Sequence, residues 1–156
     1  MPELKPGDVA PKSVALDQNG KLVRLADFKG RKLLAYFYPK AFTTGCTKQA
    51  QNVRDHLATL TKLGVAVVGI SPDAPERQKA FDEKYRLGFP LLSDAGHAIA
   101  KAWGAWGEKS MYGKKFEGVI RSSFLVDERG RISHAWYRIK PDQTAPEAQK
   151  ALGAAR

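Results

Sequence analysis

Cys46 is the only cysteine among the 156 residues of the chain, and it lies in a turn-like segment directly after Gly45. A dense apolar run at residues 33–38 precedes this segment, and a helix-like pattern follows it. A thiolate is stabilised at such a strand-to-helix turn, because the free N–H groups of the first helical turn point towards it. The position therefore favours a nucleophilic thiol at Cys46, and a single cysteine excludes a disulfide within one chain.

Two other side chains are candidates for activating this thiol. In water the pKa of a cysteine thiol is about 8.5, so reaction as a thiolate at neutral pH needs positive potential nearby. Thr43 can place a hydroxyl beside the sulfur from three residues back, and Arg121 can bring a guanidinium from a later apolar segment. Free cysteines are also among the most buried and inert residues, so Cys46 without these neighbours would indicate packing instead.

The bulk properties limit the classes of protein to be considered. A length of 156 residues fits one domain over 1–156, which can fold without a disulfide or a structural metal. The longest apolar runs, 33–38 and 65–70, are far too short to cross a bilayer. The polar first residues predict no secretory leader, and a single cysteine is typical of a reducing compartment, so we expect a cytoplasmic protein.

The net charge of +10, from 26 Lys and Arg against 16 Asp and Glu, favours encounters with anions. The charges are scattered, and Lys114-Lys115 is the nearest approach to a cluster beside aromatic residues. We therefore interpret them as a solvated basic surface with no nucleic-acid partner. A DNA-binding or DNA-protecting module is kept as an alternative function, although no groove-reading motif accompanies the charge.

The hydrophobic pattern predicts alternating strands and helices. Residues 33–38 and 65–70 are predicted to form strands that are apolar on both faces. Apolar residues spaced three and four positions apart predict an amphipathic helix from Cys46 to near Gly64. The order predicts an α/β fold of the thioredoxin kind, with a central mixed sheet flanked by helices and an N-terminal β-hairpin extension. The other predicted elements are a hairpin of 13–16 and 22–25, a helix ending near 85, a strand at 89–94, a short helix at 98–103, a hairpin of 121–127 and 131–137, and a terminal helix at 145–155.

Pro39, Thr43 and Cys46 match the PxxxTxxC active-site motif of the peroxiredoxins. From about Gly7 to Lys140 the chain resembles the Q subfamily, the bacterioferritin-comigratory-protein type. The segments that carry this resemblance are Tyr36-Phe37-Tyr38-Pro39-Lys40, Gly45-Cys46-Thr47-Lys48, Arg54-Asp55, Gly69-Ile70-Ser71-Pro72-Asp73, Phe89-Pro90-Leu91-Leu92-Ser93-Asp94, Tyr112-Gly113-Lys114-Lys115 and Arg121-Ser122-Ser123-Phe124-Leu125-Val126-Asp127.

The resemblance implies a thiol peroxidase that reduces hydrogen peroxide and organic hydroperoxides with no metal and no cofactor. By position it makes Cys46 the peroxidatic cysteine, Thr43 its hydroxyl partner and Arg121 the active-site arginine. The Thr43 hydroxyl, the Cys46 N–H and Arg121 would donate hydrogen bonds to the two peroxide oxygens and stabilise charge as it develops. The product on the enzyme would be a Cys46 sulfenic acid.

Four further residues complete the expected substrate pocket. Pro39 would shield the thiol, Gly45 precedes it, and Phe42 would make the pocket more apolar and favour alkyl hydroperoxides. Gln49 stands where Q-type sequences usually carry a glutamate that pairs with the arginine. A neutral Gln49 cannot neutralise Arg121, so we expect either more positive potential at the thiolate or an arginine that is held less firmly.

The chain departs from many Q-type sequences at Gln51, where those sequences carry a resolving cysteine five residues after the peroxidatic one. Recycling therefore needs an external thiol or a Cys46–Cys46 disulfide between two chains. We favour a one-cysteine mechanism in which thioredoxin, glutaredoxin or a low-molecular-weight thiol attacks the sulfenic acid. The resemblance also suggests a monomer.

Other candidate residues receive simpler interpretations. A thiol–disulfide oxidoreductase on the same fold is a further alternative function, but such enzymes usually need C-x-x-C at this turn, where the chain has Thr43-x-x-Cys46.

Trp103, Trp106 and Tyr112 fall in a loop-like region, where we expect them to cover the core and not to line the pocket. The three histidines lack metal-site spacing and are interpreted as surface or hydrogen-bonded residues: His56, His97 and His134.

Overall fold

The computed structural model describes residues 3–153. The strands are β1 (Val14–Leu16), β2 (Leu22–Arg24), β3 (Lys32–Phe37), β4 (Val65–Ser71), β5 (Leu91–Ser93), β6 (Trp106–Met111), β7 (Lys114–Val119), β8 (Ser122–Val126) and β9 (Ile132–Tyr137). The helices are α1 (Thr44–Asp55), α2 (Leu57–Lys62), α3 (Pro75–Tyr85), α4 (Ala98–Ala102) and α5 (Thr144–Ala151), with a 3₁₀ helix at Leu25–Phe28. None of the helices within residues 3–153 has the length and apolar composition needed to cross a bilayer.

Seven strands form one mixed sheet in the order β2-β1-β5-β4-β3-β8-β9, and β6 and β7 form a separate hairpin. At its centre β3 and β4 run parallel, with Leu34 opposite Val67 and Phe37 opposite Ile70. β5 continues the parallel arrangement, whereas β8 is antiparallel to β3 and the β1-β2 hairpin joins the edge through β5. The predicted mixed sheet with an N-terminal hairpin is confirmed.

Two hydrophobic cores lie on opposite faces of this sheet. Successive side chains of a strand point to opposite faces, so Tyr36 and Phe37 of β3 belong to different cores. The core around Tyr36 is covered by α1, α2, α3 and α5 and includes Cys46. The core around Phe37 contains Trp103 and is covered by α4. Burial on both faces explains why the central strands are continuous apolar runs.

Three elements differ from what the sequence pattern predicts. The helix expected from Cys46 to near Gly64 is divided at His56, which ends α1 and precedes α2. The loop-like interpretation of the region around Trp106 and Tyr112 is wrong, because β6 and β7 pair there as an antiparallel hairpin. The terminal helix ends at Ala151 instead of 155, and positions 154 and 155 of that prediction lie outside the described residues.

Candidate active site

Cys46 lies in the first turn of α1, next to the carboxyl ends of the parallel strands β3 and β4. The first backbone N–H to bond within the helix is that of Thr47, which donates to the Thr43 carbonyl at 2.9 Å. The N–H groups of residues 44–46 precede it, so they have no helical acceptor and are available to an anion at the sulfur. Only 2% of Cys46 is exposed, so the packed surface encloses the thiol almost completely.

The guanidinium of Arg121 binds this thiol directly. Its Nη2 lies 3.5 Å from the Cys46 Sγ, and its Nη1 donates to the Gln49 Oε1 at 2.6 Å. The close approach depends on Gly45, because a Cβ there would lie 3.1 Å from Nη2 and 3.7 Å from the Pro141 Cγ. A side chain at Gly45 would therefore push the guanidinium away from the sulfur.

Gln49 holds Arg121 through a chain of buried hydrogen bonds. Its amide Nε2 donates to the Thr144 hydroxyl at 2.9 Å, and that hydroxyl lies 2.8 Å from the Ser123 hydroxyl. α1, α5 and β8 thus fix the guanidinium together. Within residues 3–153 no carboxylate lies within 4 Å of Arg121, so its charge is shared with a neutral amide and the thiol only.

The hydroxyl of Thr43 is oriented differently from the sequence-based expectation. Thr43 is exposed just before α1, and its hydroxyl donates to the Lys40 carbonyl at 2.9 Å. Among the described residues it makes no hydrogen bond with the Cys46 sulfur. Because its proton is engaged, the Thr43 oxygen is suited to accept a hydrogen bond from a peroxide O–H, rather than to donate one as we expected.

The Phe42 ring packs on α3. The ring centroid lies 5.2 Å from that of Phe81 and 6.2 Å from that of Tyr85. Its φ of 70° is in the left-handed region, which costs a non-glycine residue about 1–3 kcal/mol and persists only where the surroundings enforce it. The structure therefore gives Phe42 an anchoring position in the loop, while Pro39 remains half-buried at the end of β3.

Asp73 and Arg77 enforce this loop conformation, and we call the pair the Asp73–Arg77 clamp. The Asp73 carboxylate accepts the Ala41 N–H and the Ser71 hydroxyl, both at 2.7 Å, and lies 3.4 Å from the Arg77 Nε. Arg77 donates in turn to the Ala41 carbonyl at 3.3 Å, and its guanidinium lies 4.9 Å from the centroid of the Phe42 ring. Both backbone groups of Ala41 are thus tied to α3 and the end of β4.

We expect an Asp73→Asn variant to react with peroxide about tenfold more slowly, because a loop displaced by a fraction of an ångström misaligns the thiol. Losing the charged hydrogen bond to Ala41 should also lower the free energy of unfolding by about 1.5–3 kcal/mol. Stopped-flow peroxide kinetics and urea unfolding would measure the two effects. Asp55→Asn is the matched control, since Asp55 is exposed and pairs with the neighbouring Arg54. An Asp73→Asn rate equal to that control would contradict a positioning role.

The two tyrosines below the thiol are neutral. Burial raises the pKa of Tyr36 and of Tyr38 above the usual value of a phenol. The Tyr38 hydroxyl donates to the Gln78 Oε1, whereas the buried Tyr36 hydroxyl has no partner among the described residues. Neither phenol places negative charge beside Cys46, so the field at the sulfur is set by Arg121 and the helix N-terminus.

Trp103 and Trp106 belong to the core on the opposite face of the sheet from Cys46, and Tyr112 lies on the surface. Trp103 is fully buried and donates from its indole Nε1 to the Ser13 hydroxyl at 2.9 Å, so it is a core residue. Trp106 lies 4.4 Å from the His97 ring, centroid to centroid. Tyr112 is 97% exposed at the tip of the β6-β7 hairpin.

The other histidines make local contacts. His56 Nδ1 lies 2.7 Å from the Asn52 carbonyl, and the His134 ring stacks on Trp136 at 5.6 Å. Across residues 3–153 no cluster of three His, Cys, Asp or Glu side chains is arranged to hold a metal ion.

Comparison with known proteins gives consistent matches over most of the chain. The model of the AhpC/TSA family matches residues 6–135. A putative peroxiredoxin of Mycobacterium tuberculosis is 53% identical over 137 residues, which are 88% of this chain and 87% of that protein. Peroxiredoxin Bcp of Escherichia coli K12 is 51% identical over 136 residues, or 87% of each chain.

A solved structure agrees with these sequence matches. The Xanthomonas campestris bacterioferritin comigratory protein, studied for its alkyl peroxide reduction activity, is 32% identical, with a TM-score of 0.85 over 90% of each chain. The fold, the family model and the relatives all lead to the same assignment. The chain belongs to the AhpC/TSA family and, within it, to the Bcp/PrxQ peroxiredoxins, as a member that lacks a resolving cysteine.

Proposed function

We propose that the protein is a thiol-dependent peroxidase in which Cys46 is the peroxidatic nucleophile for hydrogen peroxide and organic hydroperoxides. The observation that carries this proposal is the 3.5 Å contact between the Arg121 Nη2 and the Cys46 Sγ at the start of α1. A guanidinium and free helical N–H groups at one sulfur favour the thiolate form. The alkyl peroxide activity of the Xanthomonas relative supports including organic hydroperoxides among the substrates.

The reaction is a two-electron displacement at oxygen. The Cys46 thiolate attacks the terminal peroxide oxygen, so that an S–O bond forms while the O–O bond breaks. The electron pair of the O–O bond leaves on the other oxygen, which takes a proton and departs as water or an alcohol. Arg121 and the Cys46 N–H stabilise the negative charge that develops on the departing oxygen. Thr43 accepts the hydrogen bond of the attacked O–H, and Cys46 is left as a sulfenic acid.

Recycling requires a thiol from outside the chain. Gln51, half-buried on α1, stands where a resolving cysteine would be, and the chain has no second cysteine. An external thiol, either a small molecule or a protein of the thioredoxin or glutaredoxin type, attacks the oxidised sulfur, and a second thiol releases Cys46. This dependence on a thiol pool supports a cytoplasmic location. We further propose one domain over 1–156, acting as a monomer without a nucleic-acid or membrane partner.

Peroxide consumption with reductants offered separately tests this proposal. With hydrogen peroxide as substrate, we expect turnover with at least one of glutathione, dithiothreitol or a thioredoxin system, and none when thiol is omitted. The required control is the same mixture without protein, since small thiols reduce peroxide slowly by themselves. Equal peroxide loss with and without the protein, across all three reductants, would contradict the proposal.

A further inference from the structure

Three polar side chains are fully buried where α1, β8 and α5 meet: Gln49, Ser123 and Thr144. They are joined by hydrogen bonds, since the Gln49 Nε2 donates to the Thr144 hydroxyl at 2.9 Å and that hydroxyl lies 2.8 Å from the Ser123 hydroxyl. Buried polar groups are unfavourable unless they are paired, and apolar side chains of the same shape would fill this space without that constraint. The three side chains therefore indicate a role beyond packing.

The Thr144 hydroxyl does not stabilise its own helix. A threonine at the start of a helix commonly caps a free backbone N–H of the first turn with its side-chain oxygen. Among the described residues, Gln143, which precedes α5, forms no side-chain cap, and the Thr144 hydroxyl bonds to Gln49 and Ser123 of other elements. The position of this hydroxyl is thus explained by what it holds on α1 and β8.

Only one orientation of the Gln49 amide suits Arg121. A guanidinium donates hydrogen bonds and accepts none, so the Gln49 Oε1 must face the Arg121 Nη1, from which it lies 2.6 Å. The amide Nε2 then needs an acceptor of its own, and the Thr144 hydroxyl oxygen is its described partner. Without this oxygen a buried N–H would be unpaired, and the amide would rotate towards another acceptor. The Thr144 hydroxyl therefore keeps the Gln49 oxygen on Arg121.

The orientation of the Gln49 amide affects the thiol because Arg121 links the two. Nη1 of the planar guanidinium is held by Gln49, and Nη2 of the same rigid group lies 3.5 Å from the Cys46 Sγ. A movement of the first nitrogen therefore moves the second. Within residues 3–153 no carboxylate lies within 4 Å of Arg121, so no ion pair supports the guanidinium if the amide rotates.

α5 is docked by contacts other than the Thr144 hydroxyl. Ala145 and Ala148 are fully buried in the core that α1 and α5 cover. Before the helix, the Ile139 N–H donates to the Arg121 carbonyl at 3.0 Å. Thr144→Val keeps the shape of the side chain and removes only its hydroxyl, so α5 should stay in place in this variant.

We propose that Thr144 is a positioning residue for peroxide reduction: through the Gln49 amide, its hydroxyl keeps Arg121 at the thiol. This inference rests on the proposed function. No described hydrogen bond joins Thr144 to Arg121 or Cys46. Thr144 therefore acts through Gln49 and not on the reacting atoms. A guanidinium held in this way meets the departing peroxide oxygen already aligned, which is the condition for stabilising the charge on that oxygen.

The test compares two reactions of Cys46, oxidation by hydrogen peroxide and alkylation by iodoacetamide. Both consume the thiolate, so a change in its exposure or ionisation affects both rate constants. Only the oxidation has a departing oxygen for Arg121 to stabilise, since alkylation releases iodide. We expect the ratio of the rate constants, oxidation over alkylation, to fall about tenfold in Thr144→Val, because a donor displaced by a fraction of an ångström loses its alignment. Thr144→Ser keeps the hydroxyl and should restore a ratio near that of the wild type.

A double-mutant cycle tests whether Thr144 acts through Gln49. Gln49→Met removes the amide and should lower the ratio by itself. If the two residues act as one unit, adding Thr144→Val to Gln49→Met should lower the ratio by less than about twofold further. Ser13→Ala is the matched control, because the buried Ser13 hydroxyl also accepts a side-chain N–H, that of Trp103 at 2.9 Å, in the core on the opposite face of the sheet. Its ratio should equal that of the wild type.

The inference is overturned if folded Thr144→Val keeps the wild-type ratio, or if Thr144→Ser or Ser13→Ala lowers the ratio as much as Thr144→Val does. It is also overturned if Thr144→Val has the same effect in the Gln49→Met background as in the wild type, which would make Thr144 a packing residue. Thr144→Ala lacks the same hydroxyl and should show the same fall, so it replaces Thr144→Val if that variant does not fold. A wild-type Cys46 that is alkylated but not oxidised by peroxide would instead contradict the proposed function itself.

Discussion

A Cys46→Ser variant is expected to consume no hydroperoxide above the level of the mixture of thiol and peroxide alone. A serine hydroxyl stays protonated at neutral pH, so the N-terminus of α1 and Arg121 have no nucleophilic anion to stabilise. Serine also cannot form a sulfenic acid, so no intermediate exists for the external thiol to reduce. The chain has no second cysteine that could substitute. Coupled peroxide consumption under steady-state conditions would measure this loss.

The control for this variant is Gln51→Ser, a substitution at a half-buried position of the same helix that makes no described hydrogen bond with Arg121 or with the Asp73–Arg77 clamp. Gln51→Ser should retain turnover close to the wild-type level. If Cys46→Ser keeps a substantial share of the wild-type activity, the thiol is not the nucleophile, and the role proposed for Cys46 is wrong.

An Arg121→Gln variant should react with hydrogen peroxide about 10²- to 10³-fold more slowly, the loss seen when one donor to a developing oxyanion is removed. The Nη2 of Arg121 contacts the sulfur, and the same group would contact the departing oxygen. Removal of the guanidinium therefore removes a stabilising contact from both the thiolate and the transition state. Arg121→Lys keeps the charge but not the two-pronged contact with Gln49 and Cys46, so its rate should fall between those of Arg121→Gln and the wild type.

The matched control is Arg129→Gln, because Arg129 is exposed in the turn between β8 and β9, at the opposite end of β8 from Arg121. It removes the same charge without touching the site, and its rate constant should stay near the wild-type value. Circular dichroism must accompany both variants, since loss of Arg121 leaves the buried Gln49 carbonyl without its donor. A folded Arg121→Gln protein that reacts as fast as Arg129→Gln would contradict the role assigned to Arg121.

The sheet and the position of the thiol follow from local sequence signals. The central strands are buried on both faces, so they form continuous apolar runs in the sequence at 33–38 and 65–70. In the structure these runs correspond to β3 and β4. Gly45 and Cys46 follow the first of these runs, so the strand-to-helix turn was also predictable. The residues alone offered Arg121 only as a candidate neighbour of Cys46, and the family resemblance assigned it to the active site, since no local pattern joins residues so far apart in the chain.

The features that sequence reasoning missed depend on tertiary contacts. β6 and β7 contain polar residues and glycines without an apolar alternation, so the usual strand signal is absent. The only local signal was the turn of Tyr112 and Gly113, both with positive φ as in a tight hairpin. The Asp73–Arg77 clamp depends on the β3–β4 register, which brings the end of β4 to the loop after β3, and the Gln49–Thr144 bond depends on how α5 packs on α1.

The role of Cys46 as the nucleophile is tested most directly by the mass of the intact protein after one equivalent of hydrogen peroxide, with dimedone present to trap a sulfenic acid. We predict one dimedone adduct per chain, located at Cys46 by peptide mapping, and its loss when a thiol reductant is added before dimedone. A chain with no adduct and with Cys46 still reduced after the peroxide is consumed would contradict the claim that this lone thiol is the peroxide-reducing nucleophile.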